Sequence, residues 1–198
     1  TIVNNFENVN ASAATVAVSL TGSTDANVLT GGSQADTIRG GGDGDLLTGG
    51  ASNDTFIFTA GDSGQTTGTI DVIGDYTTGL VGVGDVIDHA SALTIGGSDA
   101  AASATQASIH AITGVATFDT GSGATLDDAL ADIATRFTAA TDTAGEFATF
   151  QVNGAGDYYL FMSDGDAGVT ANDVVVQLSG ITAINSIDLT GANLTILT

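Results

Sequence analysis

A nine-residue clock runs through residues 22–57 and leaves few folds open. In "GGSQADTIRGGGDGDLLTGGASNDTFI" (31–57) a Gly-Gly pair returns every nine residues, followed at a fixed distance by Asp and two residues later by a large apolar side chain. Four units align without gaps: 22–30 (GSTDANVLT), 31–39 (GGSQADTIR), 40–48 (GGGDGDLLT) and 49–57 (GGASNDTFI). Position 1 is Gly22, Gly31, Gly40, Gly49; position 6 is Asn27, Asp36, Asp45, Asp54; position 8 is Leu29, Ile38, Leu47, Phe56. Leu20 falls at position 8 of a weaker unit upstream that lacks the Gly and the Asp. Each unit divides into a Gly-rich turn of about six residues and a strand of about three. Strand side chains alternate, so only the middle one points inward. A strand that short cannot hold a sheet alone, but at a fixed period it stacks into a solenoid whose inner ladder is Leu29, Ile38, Leu47 and Phe56. A flexible Gly/Asp linker would have no use for that inward apolar residue.

The glycines admit turn dihedrals that a side chain would block. The carbonyls of Gly31, Gly40 and Gly49 then point at a common spot with the position-6 carboxylates. Carbonyl and carboxylate oxygens are hard ligands suited to Ca²⁺, which takes six to eight of them. With two units to a coil, position 6 of one unit faces position 6 of the unit after next. Asp36 and Asp54 would flank one ion, and Asn27 and Asp45 another.

The pattern resembles the RTX (repeats-in-toxin) calcium-binding nonapeptide repeat, most closely over 31–57. Unit 22–30 departs from it, with Ser23 for the second Gly and Asn27 for Asp. The lead-in "NNFENVNASAATVAVSLTGS" resembles the less regular coils that precede such rolls. Downstream, "TIDVIGDY" (69–76) and "GDVIDHAS" (84–91) resemble the segments that close them, with Tyr76 where the family has Phe and His89 where it has Leu. Asp71, Asp75, Asp85 and Asp88 are therefore candidates for further ion sites, against the alternative of solvated acids at a strand edge. The resemblance implies a parallel β-roll holding several Ca²⁺ ions. It also implies secretion from a Gram-negative bacterium by type I machinery that reads an uncleaved C-terminal signal.

Composition narrows the partners. The chain has 198 residues, no Lys, no Cys and a formal net charge of −21. That charge repels phosphate backbones and anionic membranes, so nucleic-acid binding is not expected. Acidic chains with few aromatics are often disordered, but 42% hydrophobic residues supply a core, so bound cations are the expected offset. No apolar run approaches transmembrane length, so no membrane insertion is expected. Without Lys there is no P-loop lysine, Schiff base or Ser–Lys dyad. Thr1 is not Met, and the chain reads as a piece of a longer protein.

Residues 92–124 are Ala, Thr, Ser and Gly with apolar bursts such as "SIHAITGVATF", and read as strands and loops. A helix is expected at about 125–138: Thr125 and Asp128 have capping-box spacing, and Leu126, Leu130, Ile133 and Phe137 share one face. Asp127, Asp128 and Asp132 lie near its start and Arg136 near its end, as the helix dipole favours. The last sixty residues read as a β-meander, with "FATFQV", "DYYLFMS", "DVVVQLSGI" and "ANLTILT" as strands. "DGDAGVTAND" (164–173) begins with EF-hand spacing but has Gly168 at the next ligand position and no Glu at the twelfth, so a polar turn is the simpler reading. The stretch 125–198 also resembles, less closely, the C-terminal regions of alphaproteobacterial RTX proteins.

"GDSG" (61–64) matches a serine-protease nucleophile motif, but His89 and His110 both follow Ser63, and that fold needs its His earlier. There is no H-E-x-x-H, and "GLVGVG" (79–84) lacks a dinucleotide-fold context. The expected architecture is mainly β: a parallel β-roll over 1–90, then a β-rich C-terminal cap over 91–198 with one helix, including the secretion signal. No catalytic residues and no enzyme activity are expected in this chain. The expected role is an extracellular structural subunit (surface layer, filament or matrix) that folds and self-associates on Ca²⁺, in line with a resemblance to RTX-type bacterial surface-layer proteins. The alternative is the Ca²⁺-dependent tail of a secreted metalloprotease or lipase.

Overall fold

Short strands every nine residues can bury their middle side chains only if successive strands wrap around a common core. In the computed structural model they do. The structure describes residues 2–4, 7–79, 83–95, 108–109, 115–117, 125–137, 143–152, 156–190 and 193–197. His110, most of the stretch 92–124 and the centre of "GLVGVG" lie outside the described residues. The repeat region holds β1 (Ile2–Asn4), β2 (Asn8–Asn10), β3 (Ser19–Thr21), β4 (Val28–Thr30), β5 (Thr37–Arg39), β6 (Leu46–Thr48), β7 (Thr55–Phe58), β8 (Asp71–Ile73) and β9 (Val86–His89). Beyond it come β10 (Thr94–Ile95), β11 (Ser108–Ile109), β12 (Ala116–Thr117), helix α1 (Leu126–Ala134), β13 (Glu146–Gln151), β14 (Tyr158–Met162), β15 (Val174–Leu178), β16 (Ser186–Thr190) and β17 (Asn193–Leu197).

Alternate strands go to alternate sheets. The first sheet has the order β1-β3-β5-β7-β9-β17-β16, the second β10-β13-β14-β15-β8-β6-β4-β2, and β11 and β12 form a separate pair. Within the roll every pairing is parallel, in steps of eighteen residues through the repeats: Ser19 opposite Thr37 opposite Thr55 in one sheet, Val28 opposite Leu46 in the other. The inner ladder is thus two ladders. Leu20, Ile38, Phe56 and Ile87 face Leu29, Leu47 and Ile73 across one core. This is a right match between a nine-residue unit and a two-strand coil: six turn residues and three strand residues close half a turn of solenoid.

The C-terminal strands continue both sheets. β15 pairs parallel with β8, and β17 pairs antiparallel with β9. Leu160, Met162, Val174, Val176, Leu178, Leu194 and Ile196 extend the same core. β13, β14 and β15 form an antiparallel meander, while β17 turns back on β16, a strand over "SIDLT" not among those expected, whose alternating Ile187 and Leu189 pack partly buried against the core.

α1 lies on the outer face of the second sheet. Ala129, Leu130, Ile133 and Phe137 pack against Ala148, Phe150, Phe161 and Val175, with the Phe137 and Phe161 rings edge-to-face at 4.8 Å. Thr125 caps its start: the Thr125 hydroxyl accepts from the Asp128 N–H, and the Asp128 carboxylate accepts from the Thr125 N–H, both at 3.2 Å. The helix stops at Ala134, where the Thr135 hydroxyl donates to the Asp132 carbonyl and the Arg136 N–H to that of Ile133. Arg136 therefore lies beyond the last turn. Among the described residues no helix is long and apolar enough to cross a membrane.

Candidate metal centre

The position-6 residues build two ladders, one along each side of the roll. On one side the Val18 N–H donates to Asp36 Oδ1, the Asp36 N–H to Asp54 Oδ1 and the Asp54 N–H to Asp85 Oδ1, each at 2.8 Å. On the other side the Asn27 N–H donates to Asp45 Oδ1 at 2.7 Å and the Asp45 N–H to Asp71 Oδ1 at 2.8 Å. Each acid thus spends one oxygen on the backbone of the preceding coil. Asp45 Oδ2, Asp54 Oδ2 and Asp71 Oδ2 are buried with no hydrogen-bond partner. A buried carboxylate oxygen left without a donor is costly unless something cationic meets it.

The turn glycines explain what surrounds those oxygens. A methyl group at Gly22 would collide with Asn27 Oδ1 and the Gly40 carbonyl oxygen; one at Gly31 would collide with the Gly49 carbonyl and come within 2.5 Å of Asp36 Oδ2. At Gly40 and Gly49 it would strike Asp45 Oδ2 and Asp54 Oδ2. Carbonyl and carboxylate oxygens therefore crowd the space a side chain would need. Among the described residues no three His, Cys, Asp or Glu side chains converge on a common point, so any ion here must take backbone carbonyls as well. A mixed carbonyl and carboxylate set suits Ca²⁺, a hard cation tolerant of irregular oxygen geometry.

Burial is the first reason that Asp45, Asp54 and Asp71 bind protons more tightly than an ordinary carboxylate. It pushes Asp45 up to about 6, Asp54 to about 7 and Asp71 to about 9, in each case against the backbone N–H donor and with help from nearby carboxylates. Asp85 is raised for the same leading reason. Because the folded-state values lie above the ordinary 3.8, the ion-free fold binds protons more tightly than the unfolded chain does. The stability contributed by this proton binding is fully present below about pH 4 and is lost as pH rises through 6, 7 and 9. Thermal melts of the chain stripped of divalent ions should show a higher Tm at pH 5 than at pH 8. A Tm that rises over that interval would show that the turn acids do not govern the ion-free fold. Protons and Ca²⁺ compete for the same oxygens, so apparent Ca²⁺ affinity should rise with pH over the same range.

The other candidate residues divide. Asp75 accepts from the Gly49 and Gly50 N–H groups, both at 2.9 Å, and Asp85 uses its second oxygen for the Thr77 N–H at 2.7 Å. Both bind the last coil directly to the turn before it. Asp88 stands on the outer face of the first sheet, between the buried Ile87 and His89, away from the turns. Three features of the site escape the repeat pattern. Arg39 forms a bidentate pair with Asp62 at 2.9 and 2.8 Å and donates to the Thr59 hydroxyl at 2.7 Å, so a guanidinium secures the connection after β7. Ser63 of "GDSG" is wholly buried, donating to the Val175 carbonyl and accepting from the Asp71 N–H. The Tyr76 hydroxyl donates to the Asp85 carbonyl and accepts from the Ile196 N–H, tying the roll to β17. Asp173 of "DGDAGVTAND" accepts from the Asp164 and Thr170 N–H groups, an arrangement that organises a turn.

The ladders and the glycine cradles coincide with a family match. Over residues 20–62 the chain matches the model of the RTX calcium-binding nonapeptide repeat (4 copies). The turn acids Asp36, Asp45 and Asp54, with Asn27, fall inside the matched span; Asp71, Asp75, Asp85 and Asp88 fall beyond it. RTX nonapeptide repeats bind Ca²⁺, and the three unpartnered carboxylate oxygens lie in or next to the RTX turns. No curated protein matches the chain.

Proposed function

We propose that this chain is an extracellular structural subunit that folds, and then assembles, on Ca²⁺. The observation that carries the reading is the set of buried, unpartnered oxygens on Asp45, Asp54 and Asp71. A fold with that set is poorly stable without cations, so the chain stays extended in a cytosol poor in free Ca²⁺ and folds where the ion is abundant. That behaviour suits export through type I machinery followed by folding outside. RTX repeats are typical of secreted proteins. The subunit role is further supported by charge: ions in the roll remove part of the repulsion between copies at −21, and ions bridging exposed Asp join neighbours. On this reading the chain carries no catalysis of its own, and the buried Ser63 is a structural hydroxyl.

A second reading has one observation in its favour. β15 and β17 pair with the last strands of the roll and close that end, as suits the terminal piece of a secreted metalloprotease or lipase. Light scattering and electron microscopy of micromolar protein across about 0.1–10 mM Ca²⁺, a range bracketing extracellular-module affinities, separate the two. Assembly should appear with Ca²⁺ and reverse with chelator. A single monomer species throughout would overturn the subunit reading and leave the tail.

A further inference from the structure

The outer faces of the two roll sheets differ although the same repeat builds both. In the first sheet the outward row through the repeats is Ser19, Thr37 and Thr55, with the apolar Ile2 and Val86 only at its two ends; in the second it is Val28 and Leu46, continued by Val72, directly opposite one another. The row continues through Gln177 and Tyr159 to Phe150, whose ring stacks on Tyr159 at 5.4 Å. α1 covers the Phe150 end of this face. Among the described residues nothing covers the other end: Val28 is 45% and Leu46 43% exposed. A groove of about 500 Å³ runs there, with Val28, Leu46, Val72, Ile70, Leu126 and Tyr159 among its lining. That size is in the range of built binding sites.

From this we infer that the bare half of the second sheet is a docking site for a basic amphipathic helix of another protein. Three observations choose the occupant. First, the bare face is continuous with the face that α1 already covers, so the sheet demonstrably accepts a helix packed by aliphatic side chains. Second, the three strands β8, β6 and β4 span roughly 10–14 Å at ordinary strand spacing, the diameter of one helix with its side chains. Third, the surroundings are acidic. Asp127 and Asp128 are exposed on the first turn of α1 beside Leu126, and neither arginine lines the groove. A second copy of this chain has no Lys and two Arg, one of them clamped to Asp62, so it lacks the complementary charge. The inference holds for either reading of the whole protein.

The full chain in millimolar Ca²⁺ and 0.15 M salt tests it. The chain has no Trp, so an 18-residue Leu/Lys peptide with helical amphipathic spacing and a single Trp reports its own burial. The expected result is micromolar binding with a blue-shifted Trp emission, weakened at least tenfold in the double variant Val28→Thr/Leu46→Thr. Threonine already occupies the equivalent outward positions at Thr37 and Thr55, so that variant keeps the fold, and circular dichroism checks it. A shuffled peptide of the same composition should bind at least tenfold more weakly. Equal binding by the double variant or the shuffled peptide would reduce the interaction to charge attraction and overturn the site. So would no binding at all. A wild-type dimer that the double variant abolishes would name a second copy as the occupant and overturn the choice of partner.

Discussion

In chelator the far-UV circular dichroism of this chain will lose most of the signal of the roll and will regain it as Ca²⁺ is titrated in. The reason is arithmetic. A ligand that binds only the folded state stabilises it by about 2.7 kcal/mol per site at a hundred times its Kd. Several sites filled at that level match the 5–15 kcal/mol net stability of an ordinary domain. Removing the ions also leaves Asp45, Asp54 and Asp71 with buried oxygens that nothing on the protein satisfies. The loss will be uneven. The coils between Gly22 and Asp54 depend on glycine turns and acid ladders, whereas β13–β15 and α1 have their own apolar packing in Phe137, Phe150, Phe161 and Val175. Some β signal and the helix should therefore survive. Mg²⁺ should restore little, since it demands near-octahedral geometry and keeps its waters. Spectra that superimpose in chelator and in millimolar Ca²⁺ would refute ion-driven folding of the roll.

The second large effect belongs to a glycine. Gly50 has φ +107°, and a methyl group there would run into the carbonyl oxygen of Gly32 in the turn of the preceding coil. That carbonyl already accepts the Ala51 N–H at 3.1 Å, so it is not free to move. Gly50→Ala therefore combines left-handed strain with a backbone collision. A cost on the order of 3 kcal/mol is expected. In millimolar Ca²⁺ this should lower Tm by about 6–12 °C. Gly68 is the internal control: its φ is +100°, but nothing lies within 4 Å of the added methyl. Gly68→Ala should cost roughly 1–2 kcal/mol and about 2–8 °C, through backbone strain alone. Equal losses in the two variants would mean that turn-to-turn contact contributes nothing.

What the sequence made legible was whatever repeats. Period, turn and strand lengths and the inward position are all written locally, so the roll and its acid ladders follow from counting nine. Pairing at the end of the roll is not local. Asp75 and Asp85 have the composition of ion ligands, yet their oxygens meet N–H groups of Gly49, Gly50, Asp54 and Thr77, contacts set by how the last coil folds back. Ser63 showed a protease-like tetrapeptide, and only the 112-residue reach to Val175 reveals its structural use. β16 escaped although Ile187 and Leu189 alternate cleanly with polar residues, because a five-residue segment centred on Asp188, a residue depleted in strands, is a short signal, while α1 was readable from Thr125, Asp128 and one apolar stripe, all within a few residues of each other.

The distribution of strands between sheets carries a consequence for how such a chain changes length. Its unit of sequence is nine residues, but its unit of structure is eighteen. Loss of a single unit would send every strand before it to the opposite sheet, placing Val28 where threonines stand and breaking the step from Asp36 to Asp54. Loss or gain of two units would restore every neighbour. Growth and shrinkage of this roll are therefore tolerated in even numbers of units, and a duplication that copies one unit alone has to be followed by another before the faces and the acid ladders match again.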